Sequence, residues 1–212
     1  MDLFILKIIG IITMFTDHWY HVIGGSEVLN IIGRTAFPIF AFSLGEGYVH
    51  TKNLKKYLLR LFLFAIIIHL MIFYMNYSLN IFFTLFTGLL IISLYHSKKI
   101  NILPKIIIIG ILCYISVKFD FDYGIYGILT IMIFHFFRQD KIKITISFLL
   151  LNIAAPFISD ISKIQIYSMF GLIPIFLYNG KKGRNMKYFF YLFYPLHFLV
   201  LKGIKLLLKN GF

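Results

Sequence analysis

Long apolar stretches separated by short polar segments make up most of this 212-residue chain. A helix needs about 20 apolar residues to cross a bilayer, and a helix satisfies its backbone hydrogen bonds internally. The stretches also lack the apolar–polar alternation of barrel strands. The pattern therefore predicts an all-α, polytopic transmembrane helix bundle with about nine spans, between eight and ten. The predicted spans are residues 3–23, 31–49, 57–75, 81–96, 105–119, 124–137, 143–158, 166–178 and 188–208.

Composition supports a membrane protein with little mass outside the bilayer. Hydrophobic residues make up 60% of the chain and charged residues 14%, whereas a soluble domain carries about 25% charged residues. No linker-like segment interrupts the pattern, so we expect a single domain over residues 1–212. Residues 3–23 are expected to remain as the first span, because no small-residue cleavage site follows them.

The net charge of +13 is distributed in a way that indicates topology rather than nucleic-acid binding. Four connecting segments carry most of the basic residues, and the connections between them carry few. By the positive-inside rule, these four segments and the amino terminus are cytoplasmic, and the carboxyl terminus is outside. The basic residues are Lys52, Lys55, Lys56 and Arg60; Lys98, Lys99 and Lys105; Arg138, Lys141 and Lys143; and Lys181, Lys182, Arg184 and Lys187. Lys202, Lys205 and Lys209 then lie on the outer side, against the rule.

Three ionisable residues lie inside the first two apolar stretches: Asp17, His18 and Arg34. An ionised side chain at membrane depth costs about 2.5–3.5 kcal/mol on insertion scales, so such residues are candidates for a working site. Asp17 shares a helical face with His21, which leaves His18 in need of a partner from another span. One alternative is that Asp17 and Arg34 form an ion pair that only fixes helix packing. The other is that His18 acts beside that pair as a general base.

A second group lies at the predicted cytoplasmic end of the second span, where Glu46 and His50 are four residues apart. Lys52, Lys55, Lys56 and Arg60 follow closely, and they act either as topology signals or as ligands for a phosphate-bearing cofactor. The position of Glu46 among apolar and small residues favours a cytoplasmic pocket that binds such a cofactor.

Polar residues in three other spans complete the candidate set. Asn80 and Thr84 share one helical face, while Tyr194 and His197 flank Pro195 in the last span. They are expected to bind the acceptor substrate, although each also fits a role in helix packing. The histidines show no metal-ligand spacing, and no metal is expected.

Several segments together resemble the TraX family. The matching segments are Lys7-Ile8-Ile9 leading to Asp17-His18; Gly33-Arg34-Thr35-Ala36-Phe37-Pro38-Ile39-Phe40-Ala41-Phe42 with Glu46-Gly47; His50-Thr51-Lys52-Asn53; Tyr57-Leu58-Leu59-Arg60-Leu61; Asn80-Ile81-Phe82-Phe83-Thr84-Leu85; and Tyr194-Pro195-Leu196-His197. The resemblance implies a multi-pass acyltransferase of the bacterial plasma (inner) membrane that uses acetyl-CoA. The resemblance implies that the family's functional residues correspond here to His18 with Asp17, Arg34, Glu46, His50, Arg60 and His197. It does not imply a role for each of them.

The resulting hypothesis is acetyl transfer from cytoplasmic acetyl-CoA to an amine or hydroxyl of an envelope acceptor, either a peptide amino terminus such as that of pilin or a glycan. His18 removes the acceptor's proton, and Asp17 or Arg34 orients His18 or stabilises the oxyanion. A covalent acyl-histidine at His18 or His197 is left open. The main alternative is a proton-coupled transporter or flippase that uses the same buried charges. A non-enzymatic assembly factor is a second alternative.

Overall fold

The computed structural model of the protein describes residues 1–72, 79–159, 161–184 and 186–209. Its regular structure is helical throughout these residues, which confirms the predicted all-α class. The helices are α1 (Leu3–Val22), α2 (Glu27–Gly33), α3 (Ala36–His50), α4 (Leu54–Ile72), α5 (Ile81–His96), α6 (Ile102–Lys118), α7 (Gly124–Phe136), α8 (Lys141–Ile158), a 3₁₀ helix (Lys163–Gly171), α9 (Leu172–Phe176) and α10 (Lys187–Lys209).

Contacts divide the chain into two compact units. Unit 1 is Met1–Ser43 with Lys163–Phe212, and unit 2 is Leu44–Ser162. The chain passes from one unit to the other within α3 and again before the 3₁₀ helix. Such a division of contacts does not by itself separate two domains, so the single domain over residues 1–212 stays a prediction.

Unit 1 is built around α1, which packs against α2, α9 and α10. Asp2 caps the start of α1 by accepting a hydrogen bond from the backbone N–H of Ile5, at 2.9 Å. The helix ends before Gly24 and Gly25, whose φ values of +100° and +121° are readily adopted only by glycine. Ser26 then caps α2, so a tight turn returns the chain alongside α1.

Unit 2 contains α4 to α8, in which α5 packs against α4 and α7, and α7 against α8. A Cβ atom at Gly88 would lie 2.6 Å from Ile131, so this glycine allows the close approach of α5 and α7. The fully buried Leu89, Ile128 and Ile131 form part of the core beside it. The packing of small against branched residues is typical of membrane helices.

Four helical segments are long and apolar enough to cross a membrane among the residues that the structure describes. They are Leu3–Val22, Glu27–His50, Lys141–Ile158 and Phe189–Lys209, with shorter apolar helices at Ile81–His96, Gly124–Phe136 and Lys163–Phe176. Large apolar side chains such as Ile106, Leu150 and Phe157 are exposed on α6 and α8. An apolar exterior of this kind suits a bilayer. The number of spans beyond these four stays a prediction.

The predicted second span, residues 31–49, differs in one respect from the structure. The helix is interrupted at Arg34 and Thr35. Pro38 lies in the first turn of α3, where its missing N–H costs no helical hydrogen bond. The predicted span 166–178 is a 3₁₀ helix followed by the short α9, and the end of the predicted span 57–75 lies outside the described residues.

Within each unit, backbone hydrogen bonds join segments that the predicted topology assigns to the same side of the membrane. In unit 1 the amino nitrogen of Met1 donates to the carbonyl of Leu177 at 2.6 Å, and the N–H of Leu3 donates to that of Lys181 at 2.8 Å. In unit 2 the N–H of Leu79 donates to the carbonyl of Asp120 at 3.0 Å. The side of the membrane on which each group lies stays a prediction.

Candidate functional site

Asp17 and Arg34 form an ion pair in unit 1 between the Oδ1 atom of the carboxylate and the Nη2 atom of the guanidinium. Their side chains are only 14% and 15% exposed, so the ion pair is largely buried inside the protein. The same Nη2 atom lies 3.3 Å from Nε2 of His21, which shares its helical face with Asp17. The structure thus brings together two of the predicted catalytic residues.

Gly33 explains how the ion pair forms. A Cβ atom on Gly33 would lie 2.7 Å from Cα of Asp17, which is closer than a Cβ atom comes to a neighbouring backbone atom in real proteins. The missing side chain lets the end of α2 lie directly against α1. Arg34, the next residue, is therefore placed beside the carboxylate.

His18 is adjacent to Asp17 in α1 but contacts a different neighbour. Its Nδ1 atom lies 2.6 Å from Nε2 of His197 in α10, and the planes of the two rings are 15° apart. The other ring nitrogen of His197, Nδ1, lies 3.1 Å from the carbonyl oxygen of Phe193. The predicted catalytic histidine and a predicted acceptor-binding residue therefore form one pair.

These contacts fix the tautomers of a neutral pair. Because the Phe193 carbonyl only accepts, Nδ1 of His197 carries the hydrogen and its Nε2 is an acceptor. Nδ1 of His18 must then donate to that Nε2, and Nε2 of His18 is left with a lone pair. None of the described residues forms a hydrogen bond with this Nε2 atom. An imidazole held in one orientation with such a lone pair is suited to accept a proton.

Aromatic side chains of α10 surround the histidine pair. The ring of Phe198 lies 4.6 Å from that of His18 and 4.3 Å from that of His197, measured between centroids. The predicted acceptor-binding residue Tyr194 is buried and its ring lies 5.3 Å from that of His197. Such apolar walls limit access of water and strengthen electrostatic interactions within the site.

The residues predicted to bind the cofactor lie in unit 2. Glu46 is buried, and its Oε2 atom lies 3.4 Å from Nε2 of His50. Lys52, Lys55 and Lys56 are exposed around the start of α4. The guanidinium of Arg60 lies over the ring of Tyr57, 5.7 Å from its centroid.

Asn80 and Thr84, predicted to bind the acceptor, are both buried in unit 2 and bonded to backbone. Asn80 caps α5 and donates from Nδ2 to the carbonyl of Ala65 at 2.9 Å. Thr84 donates its hydroxyl hydrogen to the carbonyl of Asp122. These contacts give both side chains a structural role, and binding of the acceptor stays a prediction.

Sequence reasoning missed a second histidine pair, which lies in unit 2. Nε2 of His96 is 2.9 Å from Nε2 of His135, and the ring of Tyr48 contacts both histidines. No spacing in the sequence indicates this cluster, because His96 and His135 belong to separate helices. No group of three or more potential metal ligands occurs among the described residues.

The fold and these sites together define a helical membrane protein that carries buried, paired ionisable residues. The sequence model described as "TraX protein" matches residues 2–205, and the chain belongs to the TraX family. A curated relative, the probable fimbrial assembly protein FimC (serogroup H1) of Dichelobacter nodosus, is 31% identical over 242 aligned positions. The alignment covers 97% of this chain and 96% of that relative. No solved structure matches the chain.

Proposed function

We propose that the protein is a membrane acyltransferase that moves an acetyl group from acetyl-CoA to an amine or hydroxyl of a cell-envelope acceptor. One observation carries the proposal. The chain of contacts from the Phe193 carbonyl through His197 to His18 leaves the Nε2 atom of His18 as a base. A base is the group that acyl transfer to an amine or hydroxyl requires.

In the proposed reaction, Nε2 of His18 removes the proton of the acceptor as its nitrogen or oxygen attacks the thioester carbonyl. A carbon–nitrogen or carbon–oxygen bond forms, the carbon–sulfur bond breaks, and the departing sulfur takes up the proton from His18. His197 orients the ring and stabilises the transient positive charge by accepting the hydrogen bond from Nδ1. Direct transfer needs no covalent intermediate.

Asp17 and Arg34 have an electrostatic role in this proposal. Arg34 contacts Asp17, which is adjacent to His18 in α1. A guanidinium beside the reacting carbonyl stabilises the negative oxygen of the tetrahedral intermediate. Asp17 holds Arg34 in position through their ion pair.

The donor is proposed to enter from the cytoplasm, because the basic segments lie on that side in the predicted topology. Glu46, His50, Lys52, Lys55, Lys56 and Arg60 remain the residues proposed to bind it. Lysine and arginine side chains form charge-assisted hydrogen bonds with phosphate, which suits the phosphates of coenzyme A. The proposed location of the protein is accordingly the bacterial plasma membrane.

The name of the Dichelobacter nodosus relative supports a fimbrial setting for the acceptor. That protein is named as a probable fimbrial assembly protein, and the alignment covers nearly all of both chains. The amino terminus of a pilin-like protein is therefore the proposed first acceptor to test, with envelope glycans as the second.

The experiment uses the full chain, purified in detergent and mixed with acetyl-CoA and an acceptor peptide that has a free amino terminus. Release of the free thiol and a mass increase of one acetyl group on the peptide are expected. His18→Gln should lower the rate of both signals by at least about 10²-fold while remaining folded. Because detergent solution has no proton gradient, activity there argues against the transporter hypothesis. Inactivity in detergent with gradient-dependent transport in vesicles would overturn the proposal.

A further inference from the structure

Unit 2 contains a cavity of about 580 Å³ that no predicted site residue lines. Its polar lining comes from Tyr48, Thr51, His96, His135, Arg138 and Gln139, which belong to three separate connections and the helix ends beside them. The volume falls within the range of about 300–1,000 Å³ that is typical of small-molecule sites. It is far larger than a single phosphate ion requires.

The charges around the cavity favour an anion. Arg138 forms no ion pair with a carboxylate among the described residues. The nearby Asp140 contacts Lys143 at 3.2 Å, and Glu46 contacts His50. A guanidinium without a protein counter-ion at a cavity wall is suited to bind phosphate through two parallel hydrogen bonds.

His135 forms part of the buried wall of the cavity. Its side chain is buried, with 6% of its surface exposed, and it lines the cavity. Its Nε2 atom bonds to His96, but its Nδ1 atom has no hydrogen-bond partner among the described residues. This Nδ1 atom is enclosed and lies 3.6 Å from the position of a Cβ atom on Gly45, which does not line the cavity, so a bound molecule contacts other atoms of the His135 side chain.

The remaining walls suit a planar ring. Tyr48 and Phe136 supply aromatic surface to the cavity, on which a base can stack. Thr51 and Gln139 supply a hydroxyl and an amide that form hydrogen bonds with ring nitrogens or ribose hydroxyls. The cavity therefore combines a cation, a stacking surface and neutral polar groups.

We infer that this cavity binds the phosphoadenosine end of coenzyme A. The inference rests on the proposed function for the identity of the donor, and it assigns to the donor residues outside the predicted cofactor-binding set. Lys52 follows Thr51, and Lys55 and Lys56 lie in the first turn of α4. These exposed lysines attract the donor while the cavity holds its nucleotide.

The test measures equilibrium binding of coenzyme A, and of adenosine 3′,5′-bisphosphate as a competitor, to the purified full chain. Arg138→Gln should weaken binding of both by about tenfold or more, because a charged hydrogen-bonding partner of the phosphate is lost. Lys99→Gln is the matched control, since it removes one exposed positive charge from the connection after His96 at a residue that does not line the cavity. It should change affinity by less than about twofold.

Leu54→Trp provides a variant that leaves the charge unchanged. Leu54 lines the cavity, and an indole at this position fills part of it, so binding should weaken although Arg138 is intact. Adenosine 3′,5′-bisphosphate should compete with coenzyme A, whereas inorganic phosphate and phosphatidylglycerol at the same concentration should not. If inorganic phosphate or phosphatidylglycerol competes with coenzyme A at that concentration, the nucleotide assignment is wrong.

The outcomes separate this inference from the proposed function. If the chain transfers acetyl groups but folded Arg138→Gln and Leu54→Trp bind coenzyme A normally, the cavity assignment fails and the transferase stands. If nucleotide binding depends on Arg138 but no acetyl transfer occurs, the cavity assignment stands and the transferase fails. Absence of any coenzyme A or nucleotide binding overturns the inference.

Discussion

Nδ1 of His18 lies 2.6 Å from Nε2 of His197, although 179 residues separate them in the chain. The pair connects α1 to α10 within unit 1. Because the carbonyl of Phe193 fixes the tautomer of His197, the hydrogen bond has one direction, from Nδ1 of His18 to Nε2 of His197. The nitrogen that keeps a free lone pair is Nε2 of His18. The same contact therefore joins two helices and leaves the Nε2 atom of His18 able to accept a proton.

We expect His18→Gln to lower the rate of acetyl transfer by at least about 10²-fold, because glutamine keeps a polar side chain of similar size but cannot act as a general base. Affinity for acetyl-CoA should be unchanged, because His18 is outside the proposed donor site. Rate and affinity are measured on the same purified variant. A rate within a few-fold of the unmodified protein, with a lower melting temperature, would assign His18 to packing alone.

We expect His197→Phe to lower the rate by about 10²-fold or more, because the acceptor for Nδ1–H of His18 is lost and the base can adopt the wrong tautomer. His197→Gln should keep the rate within about tenfold, since its side-chain carbonyl reaches the position of Nε2 and accepts the same hydrogen bond. Both rates are measured under saturating donor. Equal loss in the two variants would show that His197 does not position His18.

We expect Arg34→Lys to disable acetyl transfer nearly as well as Arg34→Ala. The guanidinium contacts Asp17 and His21 through one rigid group, whereas lysine supplies a single flexible charge that loses its proton more readily when buried. Normal transfer by the lysine variant would reduce the role of Arg34 to its charge.

A double variant provides the control for this pair. Asp17→Leu alone leaves a largely buried arginine without its carboxylate and should cost about 3–5 kcal/mol of stability. Asp17→Leu with Arg34→Met should recover most of that stability in thermal unfolding but not the transfer activity. Recovery of activity as well would show that the ion pair acts only in packing.

We expect Gly33→Ala to weaken acetyl transfer and to lower stability by about 1–3 kcal/mol, because the added methyl group overlaps Asp17 and separates α2 from α1. Gly110→Ala in α6 is the matched control, since a Cβ atom there meets nothing within 4 Å. Thermal unfolding of the two variants is compared with that of the unmodified protein. Equal melting temperatures for both would contradict a tight contact at Gly33.

We expect reporter fusions at Asn53, Ser97, Asp140 and Gly183 to report a cytoplasmic location, because each lies in one of the four basic segments. A fusion after Lys209 should report the outer side. Alkaline phosphatase and fluorescent-protein fusions give opposite signals and check each other. An outer location at any two of the four sites would reverse the predicted sidedness.

The sequence by itself determined the helical membrane class and the family. Apolar stretches of near-bilayer length allow little else, because backbone groups in lipid must bond within the helix. The pairing of Asp17 with Arg34 was foreseeable too, since the connection around Gly24 and Gly25 is short and returns the chain at a similar depth.

Only the tertiary structure decided which histidines meet. Whether His18 faces His197, or His96 faces His135, depends on the rotation of each helix about its axis and on close packing at glycines such as Gly33 and Gly88. Spacing along the chain contains no information on contacts between helices so distant in sequence. The direction of the His18–His197 pair is set locally, because the carbonyl oxygen of Phe193 lies four residues before His197 in the same helix, but the pair itself forms only because α10 packs against α1.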